Sequence, residues 1–343
     1  MYLLNINMLR KFVLSKPSYS AVLFSTTSPQ LNSDSIPAVS SRNITGIVPS
    51  PTHQEIDQLY EFIEKSKYLT VVTGAGISTP SGIPDYRGPT GSYKMGHKPM
   101  NHNEFMTTEH SRKRFWARSM IGWQKVSTAE PNPAHIGLAK LEKLNKVHSI
   151  ITQNVDRLHH KAGSKEIIDL HGRVDQVRCQ CCKKTLSRHN WQNMLVTENK
   201  QFLKEIQESQ RQFHSSKVSA TSTRADGDAE LRLEDYSQMT VPSCSECGGI
   251  IKLDVVMFGD NVPLPVVNNA YKQIDSSSAV LVIGTSLEVF SAYRFINRAN
   301  KLNIPIAIVN YGQTRAEREQ LHSIVYKTEA NCAELLHSVA SKF

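Results

Sequence analysis

The sequence predicts an α/β fold: a Rossmann-like, doubly wound parallel sheet with a small zinc-binding domain inserted into it. Three observations predict it. Short apolar runs alternate with segments of helical periodicity, the pattern of a parallel sheet covered on both faces. Those runs end in glycine or small polar residues, and open α/β sheets bind ligands beyond the carboxyl ends of their strands. Two cysteine pairs bracket a stretch, residues 179–247, that breaks the alternation.

Residues 53–67 carry Ile56, Leu59, Tyr60 and Ile63 at helical spacing. Residues 68–73 read as a buried strand that empties into Gly74-Ala75-Gly76-Ile77-Ser78. Residues 134–145 read as a helix, 147–152 as a second strand and 166–170 as a third. Beyond the cysteine-bracketed stretch, 279–283 form a fourth strand that ends at Gly284, 291–302 a helix, and 304–309 a fifth strand that ends at Asn310-Tyr311-Gly312. The dinucleotide-binding catalytic domain is therefore assigned to 46–178 and 248–343, and the zinc lobe to 179–247. Within that lobe, residues near 215–230 are poor in bulky apolar side chains and rich in Ser, Thr, Asp and Ala, which marks a flexible insertion.

Hydrophobic residues make up 39% of the 343 and charged residues 21%, which excludes a wholly disordered chain. No run of about 18 apolar residues occurs, so an ordinary membrane-spanning helix is excluded. The net charge of +9 suits an anionic ligand but does not choose one. Six cysteines are too few for a disulfide scaffold of this size, so metal or catalytic use is expected. Residues 1–45 stand apart. They hold Arg10, Lys11, Lys16 and Arg42 against one acid, Asp34, and are rich in Ser and Thr. That composition describes a mitochondrial transit peptide, and hence a protein of the mitochondrial matrix; the alternative is a disordered tail with a chance excess of basic residues.

A strand emptying into Gly74-Ala75-Gly76 lets the backbone approach a pyrophosphate, with free N–H groups on the helix that follows. The dehydrogenase fingerprint is incomplete, because Thr79 stands where a third glycine would be. The stretch that follows, through Gly82-Ile83-Pro84-Asp85-Tyr86-Arg87, reads instead as a long shaped loop over the ligand. Gln153-Asn154-Val155-Asp156, Gly284-Thr285-Ser286 and Asn310-Tyr311-Gly312 follow three further strands. Together these ends fit one long polar ligand.

Cys179 and Cys182, with Cys244 and Cys247, form two C-x-x-C pairs. That spacing lets both thiolates of a pair reach one tetrahedral ion, and four thiolates leave no open position, so a bound zinc is structural. Cys181 is a competing ligand, and Cys332, far along the chain, is a pocket or core thiol. His171 follows the third strand in Leu170-His171-Gly172, where it is placed for proton transfer to the ligand. An unperturbed imidazole there would titrate near 6.5. His159-His160 reads as packing or surface.

Taken together, these motifs resemble the sirtuin family, the NAD-dependent protein deacylases. Val256-Met257-Phe258-Gly259-Asp260 belongs to the same pattern. Asp-Tyr-Arg after Ile-Pro, Tyr-Arg-Phe-Ile at 293–296, Trp-Ala-Arg at 116–118 and Asn-Cys-Ala-Glu-Leu-Leu at 331–336 look like class II, and specifically the mitochondrial sirtuin-four type. The resemblance implies roles for matching positions. Gly74 to Ser78 and Pro84 to Arg87 hold the NAD pyrophosphate and close over the nicotinamide ribose. Gln153, Asn154 and Asp156 contact the ribose and carboxamide, with Asn154 and Asp156 stabilising the departure of nicotinamide. His171 is the general base that draws a proton from a ribose hydroxyl. Gly284, Thr285, Ser286, Asn310, Tyr311 and Gly312 hold the adenosine half, with Cys332 near the adenine. Val256, Phe258 and Gly259, with Leu287 and Glu288, sandwich the substrate peptide as an added strand.

The implied activity transfers the acyl group of acyl-lysine to ADP-ribose, with nicotinamide released. The implied partners are acyl-lysine proteins of the mitochondrion as substrates, and the enzyme is expected to be a monomer with no membrane insertion and no nucleic-acid partner. An alternative uses the same NAD site to pass ADP-ribose to a protein side chain. A remote alternative, a zinc-ribbon nucleic-acid module, is disfavoured because the insertion between the cysteine pairs carries Asp and Glu and is no groove reader. Two departures from the family pattern stand out. The loop Gly88–Lys94 is shorter than the sirtuin-four type carries, and residues 105–125 contain no Tyr-x-x-Arg pair of the desuccinylating kind.

Overall fold

The structure is a computed structural model that describes residues 48–88, 91–94, 96, 98–213, 231 and 235–343. The expected transit peptide at 1–45 and the insertion near 215–230 lie outside the described residues. So do Pro89 and Thr90 of the loop Gly88–Lys94.

In chain order the strands are β1 (Leu69–Thr73), β2 (Ser149–Thr152), β3 (Ile167–Asp169), β4 (Gly172–Cys179), β5 (Thr185–Ser187), β6 (Ile251–Val255), β7 (Ala279–Ile283), β8 (Ile306–Val309) and β9 (Ile324–Thr328). Six of them form one parallel sheet in the order β3-β2-β1-β7-β8-β9. The order reverses between β1 and β7, so the crevice at their carboxyl ends is the switch point where such sheets bind ligands. β9 was not anticipated: its residues Ile-Val-Tyr-Lys-Thr are only partly buried, as befits an edge strand.

The strands read as continuous apolar runs because both faces are covered. Side chains alternate between faces, so Val71, Ile150, Leu281 and Val309 enter one cluster and Val72, Ile151, Val282 and Ile308 the other. The helices His53–Lys65, Pro133–Lys143 and Cys332–Lys342 close the first face. The helices Leu264–Ser276 and Phe290–Lys301 close the second. The first helix starts where a capping box allows it: Glu55 N donates to Thr52 Oγ1 (3.2 Å) and Thr52 N to Glu55 Oε2 (2.8 Å).

The second sheet is antiparallel, with β4 between β5 and β6. Its extent differs from the assigned lobe, 179–247. It starts at Gly172, ends at Val255, and buries a face against helices from far upstream, His102–Thr107 and Glu109–Ser127. Phe105, Phe115, Trp116 and Met120 pack there with Val177, Trp191 and Leu253. Local spacing cannot reveal this, because the contacts join segments more than fifty residues apart. Buried Arg188 lies 5.4 Å from the Trp116 ring and 4.8 Å from that of Trp123, and donates to Gln192 Oε1 (2.7 Å).

Candidate active site

A cavity of about 870 Å³ opens at the switch point, between the two sheets. Its floor is made where two strand ends touch. Gly76 N donates to the carbonyl of Gly284 (2.8 Å). Gly284 has φ +59°, and a Cβ there would lie 2.4 Å from Ile77 N. A side chain at either glycine would therefore push the two loops apart. The segment after β1 is a 3₁₀ helix, Ala75–Ser81, with Pro80 inside it, rather than a long α-helix.

The polar residues after β2 are locked to this floor. Asn154 Nδ2 donates to Gly74 O (3.1 Å) and to Ser78 Oγ (3.0 Å). Ser78 Oγ donates to Asp156 Oδ2 (2.7 Å), whose Oδ1 accepts from Leu158 N (2.9 Å). Gln153 Nε2 donates to Thr285 Oγ1 (3.0 Å) and so ties β2 to β7. Asp156 is buried, and burial raises its carboxyl above the ordinary value against the lowering effect of those two hydrogen bonds. With both oxygens engaged by the protein, Asp156 holds Ser78 and, through it, Asn154.

His171 sits where the chain leaves the parallel sheet for the antiparallel one. Its Nδ1 is 3.0 Å from the Gln153 carbonyl, so Nδ1 carries the proton and Nε2 is the basic nitrogen. Nε2 faces the cavity and lies 2.7 Å from Ser291 Oγ. Burial lowers its pKa to about 4, assisted by the charge of Arg294 and opposed by the Gln153 bond. The imidazole is therefore perturbed from the ordinary 6.5, and the ring stays neutral, a base, well below pH 6. His159 is buried, bonded through Nε2 to Thr73 Oγ1 (3.0 Å), as its packing assignment requires.

At the far end, Asn310 Nδ2 donates to the carbonyls of Tyr311 (3.0 Å) and Gly312 (3.1 Å). Lys327 Nζ reaches Asn310 O (2.8 Å) from below. Cys332 Sγ lies 3.9 Å from Gly76 O, and burial pushes its thiol up to about 12. Over the cavity, Asp85 Oδ1 accepts from Gly88 N (2.9 Å), and the Arg87 guanidinium stands 5.0 Å from the Tyr93 ring centre. On the opposite wall, Val256 N donates to the His171 carbonyl (2.8 Å), and Phe258 is 42% exposed at the mouth.

Most of the sequence-assigned residues line this one cavity, among them Ala75, Ser78, Asp85, Tyr86, Ser286, Tyr311, Gly259 and Glu288. Four do not. Ile77 and Leu287 turn their side chains into the two core clusters. Gly74 packs behind the floor, where an added Cβ would lie 2.6 Å from Thr285 Cβ, and Pro84 stands outside the lining. Ser291, Arg294 and Val48 line the cavity and were missed. Ser291 lies one turn beyond the marked Leu287-Glu288 segment. Val48 has no local signal and is held there because Asn331 N donates to Pro49 O (2.7 Å).

The four cysteines converge outside the cavity. Their sulfurs lie within 4.8 Å of one another, with Cys179–Cys247 at 3.5 Å and Cys182–Cys244 at 3.7 Å. Zinc–sulfur bonds of about 2.3 Å in a tetrahedron put sulfurs about 3.8 Å apart, so the quartet fits zinc. Cys181 is exposed and stands outside it.

The fold and the cavity define a dinucleotide-binding enzyme of the doubly wound class, with a cysteine-built lobe closing one side of its site. The family model for the Sir2 family matches residues 74–291. NAD-dependent protein deacetylase 2 of Bradyrhizobium diazoefficiens is 44% identical over 278 residues, which cover 81% of this chain and 96% of that protein. NAD-dependent protein deacylase Sirt4 of Drosophila melanogaster is 39% identical over 284 residues, covering 82% and 85%. The solved Sir2–p53 peptide–NAD+ complex superposes with a TM-score of 0.61 at 26% identity, covering 84% of this chain and 98% of that one. This chain belongs to the Sir2 family, and it is an NAD-dependent protein deacylase. The likeness to Sirt4 gives the sirtuin-four resemblance loose support, and the bacterial deacetylase is the more similar of the two.

Proposed function

We propose that the chain frees lysine side chains by passing their acyl group to the ADP-ribose part of NAD, and that it does so in the mitochondrial matrix. The observation that carries the chemistry is His171: one nitrogen anchored by the Gln153 carbonyl, the other basic and turned into the cavity. Bound NAD supplies an electrophilic ribose carbon and nicotinamide as leaving group. The paired glycine ends would receive its pyrophosphate, and Asn310 to Gly312 its adenosine. Asn154, oriented by Gly74 and Ser78, presents its amide to the ribose. Ser291 positions the ring in the resting site, and His171 Nε2 takes the ribose hydroxyl proton once that hydroxyl displaces Ser291 Oγ from its lone pair. The wall Val256–Gly259 offers a strand edge to the peptide. The matrix address rests on the basic, acid-poor composition of residues 1–45.

Labelled NAD with an acyl-lysine peptide tests the reaction. Label in free acyl-ADP-ribose is the expected result. Label on protein, with none in acyl-ADP-ribose, would establish ADP-ribosyl transfer instead. N-terminal sequencing of the protein from mitochondria tests the address, and an intact first residue there would refute cleavage.

A further inference from the structure

Beside the main cavity runs a second, shallower trough of about 460 Å³, between the helices Leu264–Ser276 and Phe290–Lys301. Its seven lining residues include Phe290 and Arg294, which also line the main cavity, so the two share a wall. Phe290, Arg294, Arg298 and Lys301 follow one another at four-, four- and three-residue steps, which puts them on one helical face. Phe290 is 60% exposed.

The charge of this face is one-sided. Three cations, Arg294, Arg298 and Lys301, meet one acid, Asp275. Asp275 is taken up by Arg298 in a forked pair, Nε–Oδ1 at 2.7 Å and Nη2–Oδ2 at 3.2 Å. Arg294 Nε donates to the Ser291 carbonyl (3.1 Å), and its guanidinium lies 5.5 Å from the Phe295 ring centre. Among the described residues neither Arg294 nor Lys301 pairs with a carboxylate. Tyr271 and Asn297, the other lining residues, are neutral donors and acceptors.

We propose that this trough is an exosite for an acidic segment of the protein substrate, flanking the modified lysine. The proposal rests on the deacylase reading of the adjoining cavity. A protein chain is the fitting occupant because the trough shares Phe290 and Arg294 with the cavity that would receive the substrate's acyl-lysine, so the residues flanking that lysine are the nearest anions to its cations. The 12-residue helix is about 18 Å long at ~1.5 Å per residue. An extended peptide covers that distance in about five residues, so Asp or Glu within that span of the lysine is selected.

Affinity is measured by fluorescence anisotropy with three acyl-lysine peptides that differ only in flanks: acidic, neutral and basic. Exposed ion pairs are individually weak, so a preference of about fivefold for acidic over neutral flanks is expected, fading with added salt. The double variant R298E/K301E should lose the preference or reverse it, while affinity for the neutral peptide holds. The milder Lys301→Gln, a change at an exposed site, should reduce the preference part-way and guards against a folding defect in the double variant. Equal binding of all three peptides would overturn the proposal, as would a preference that survives both variants. Competition by a single-stranded DNA oligomer but not by the acidic peptide would overturn it in favour of a nucleic-acid surface. Nicotinamide release from the neutral peptide is scored separately and tests only the deacylase reading.

Discussion

The parallel sheet and the antiparallel one are held together by different means. The first is buried on both faces by aliphatic side chains, with Val71, Val72, Leu281 and Val282 all fully buried. It stands on packing and on buried hydrogen bonds such as Thr73 Oγ1 to Thr152 Oγ1 (2.9 Å). The second has one covered face, rich in aromatic residues, and ends in four thiolates. Its far edge carries the quartet that fits zinc. His171 lies at the seam, between β3 and β4, so the base inherits its position from both. The difference teaches that damage to the small sheet should reach catalysis through geometry, with the large sheet left intact.

Metal loss should have the largest effect. Structural zinc contributes on the order of 10 kcal/mol to folding of small modules. Cys244→Ala should lose metal and soluble protein together, whereas Cys181→Ala should keep both. Metal analysis beside solubility checks this, and a full metal complement in Cys244→Ala would break the comparison.

Removal of the base comes next. His171→Ala should slow acyl transfer by about 10²–10⁴-fold, the range for a lost general base. Exchange of labelled nicotinamide into NAD should survive better, because the base acts after nicotinamide leaves. Asn154→Ala should slow the exchange itself.

Gly172 tests the seam directly. Its φ is +81°, and an added Cβ would lie 2.1 Å from Asp254 O. Gly172→Ala should cost about 1–3 kcal/mol of stability and displace His171, lowering turnover with NAD affinity preserved. Thermal melting beside NAD titration separates these effects. Wild-type turnover would show that the two sheets are not coupled through this turn.

The smallest effects concern the surroundings of the base. Ser291→Ala removes the partner at Nε2 and should lower turnover several-fold, within the range of one lost hydrogen bond of about 1 kcal/mol. The pH profile should show no acid limb near 6.5, because burial holds His171 at about 4. The same shift acts on stability. His135, lowered to about 4, and His159, also lowered, are like His171 neutral in the folded chain and titrate near 6.5 when unfolded. The unfolded state therefore binds more protons between those values, and stability falls as pH drops from about 6.5 toward 4. An activity midpoint near 6.5 without unfolding would refute the shifted base.

The sequence by itself determined five of the six parallel strands, the glycine ends, the cysteine quartet and the place of His171 at a strand end. These depend on spacing within a few residues: apolar runs, C-x-x-C pairs, a histidine released by glycine. Tertiary structure alone decided the rest. It turned Ile77 and Leu287 into the core, because a loop's neighbours settle which way each side chain points. It joined helices at 102–127 to strands beyond 172, because burial of Phe115 and Trp116 needs a surface made later in the chain. It brought Val48 and Ser291 to the cavity, and it lowered the pKa of His171. Burial and long-range pairing are properties of the packed chain, and no local pattern encodes them.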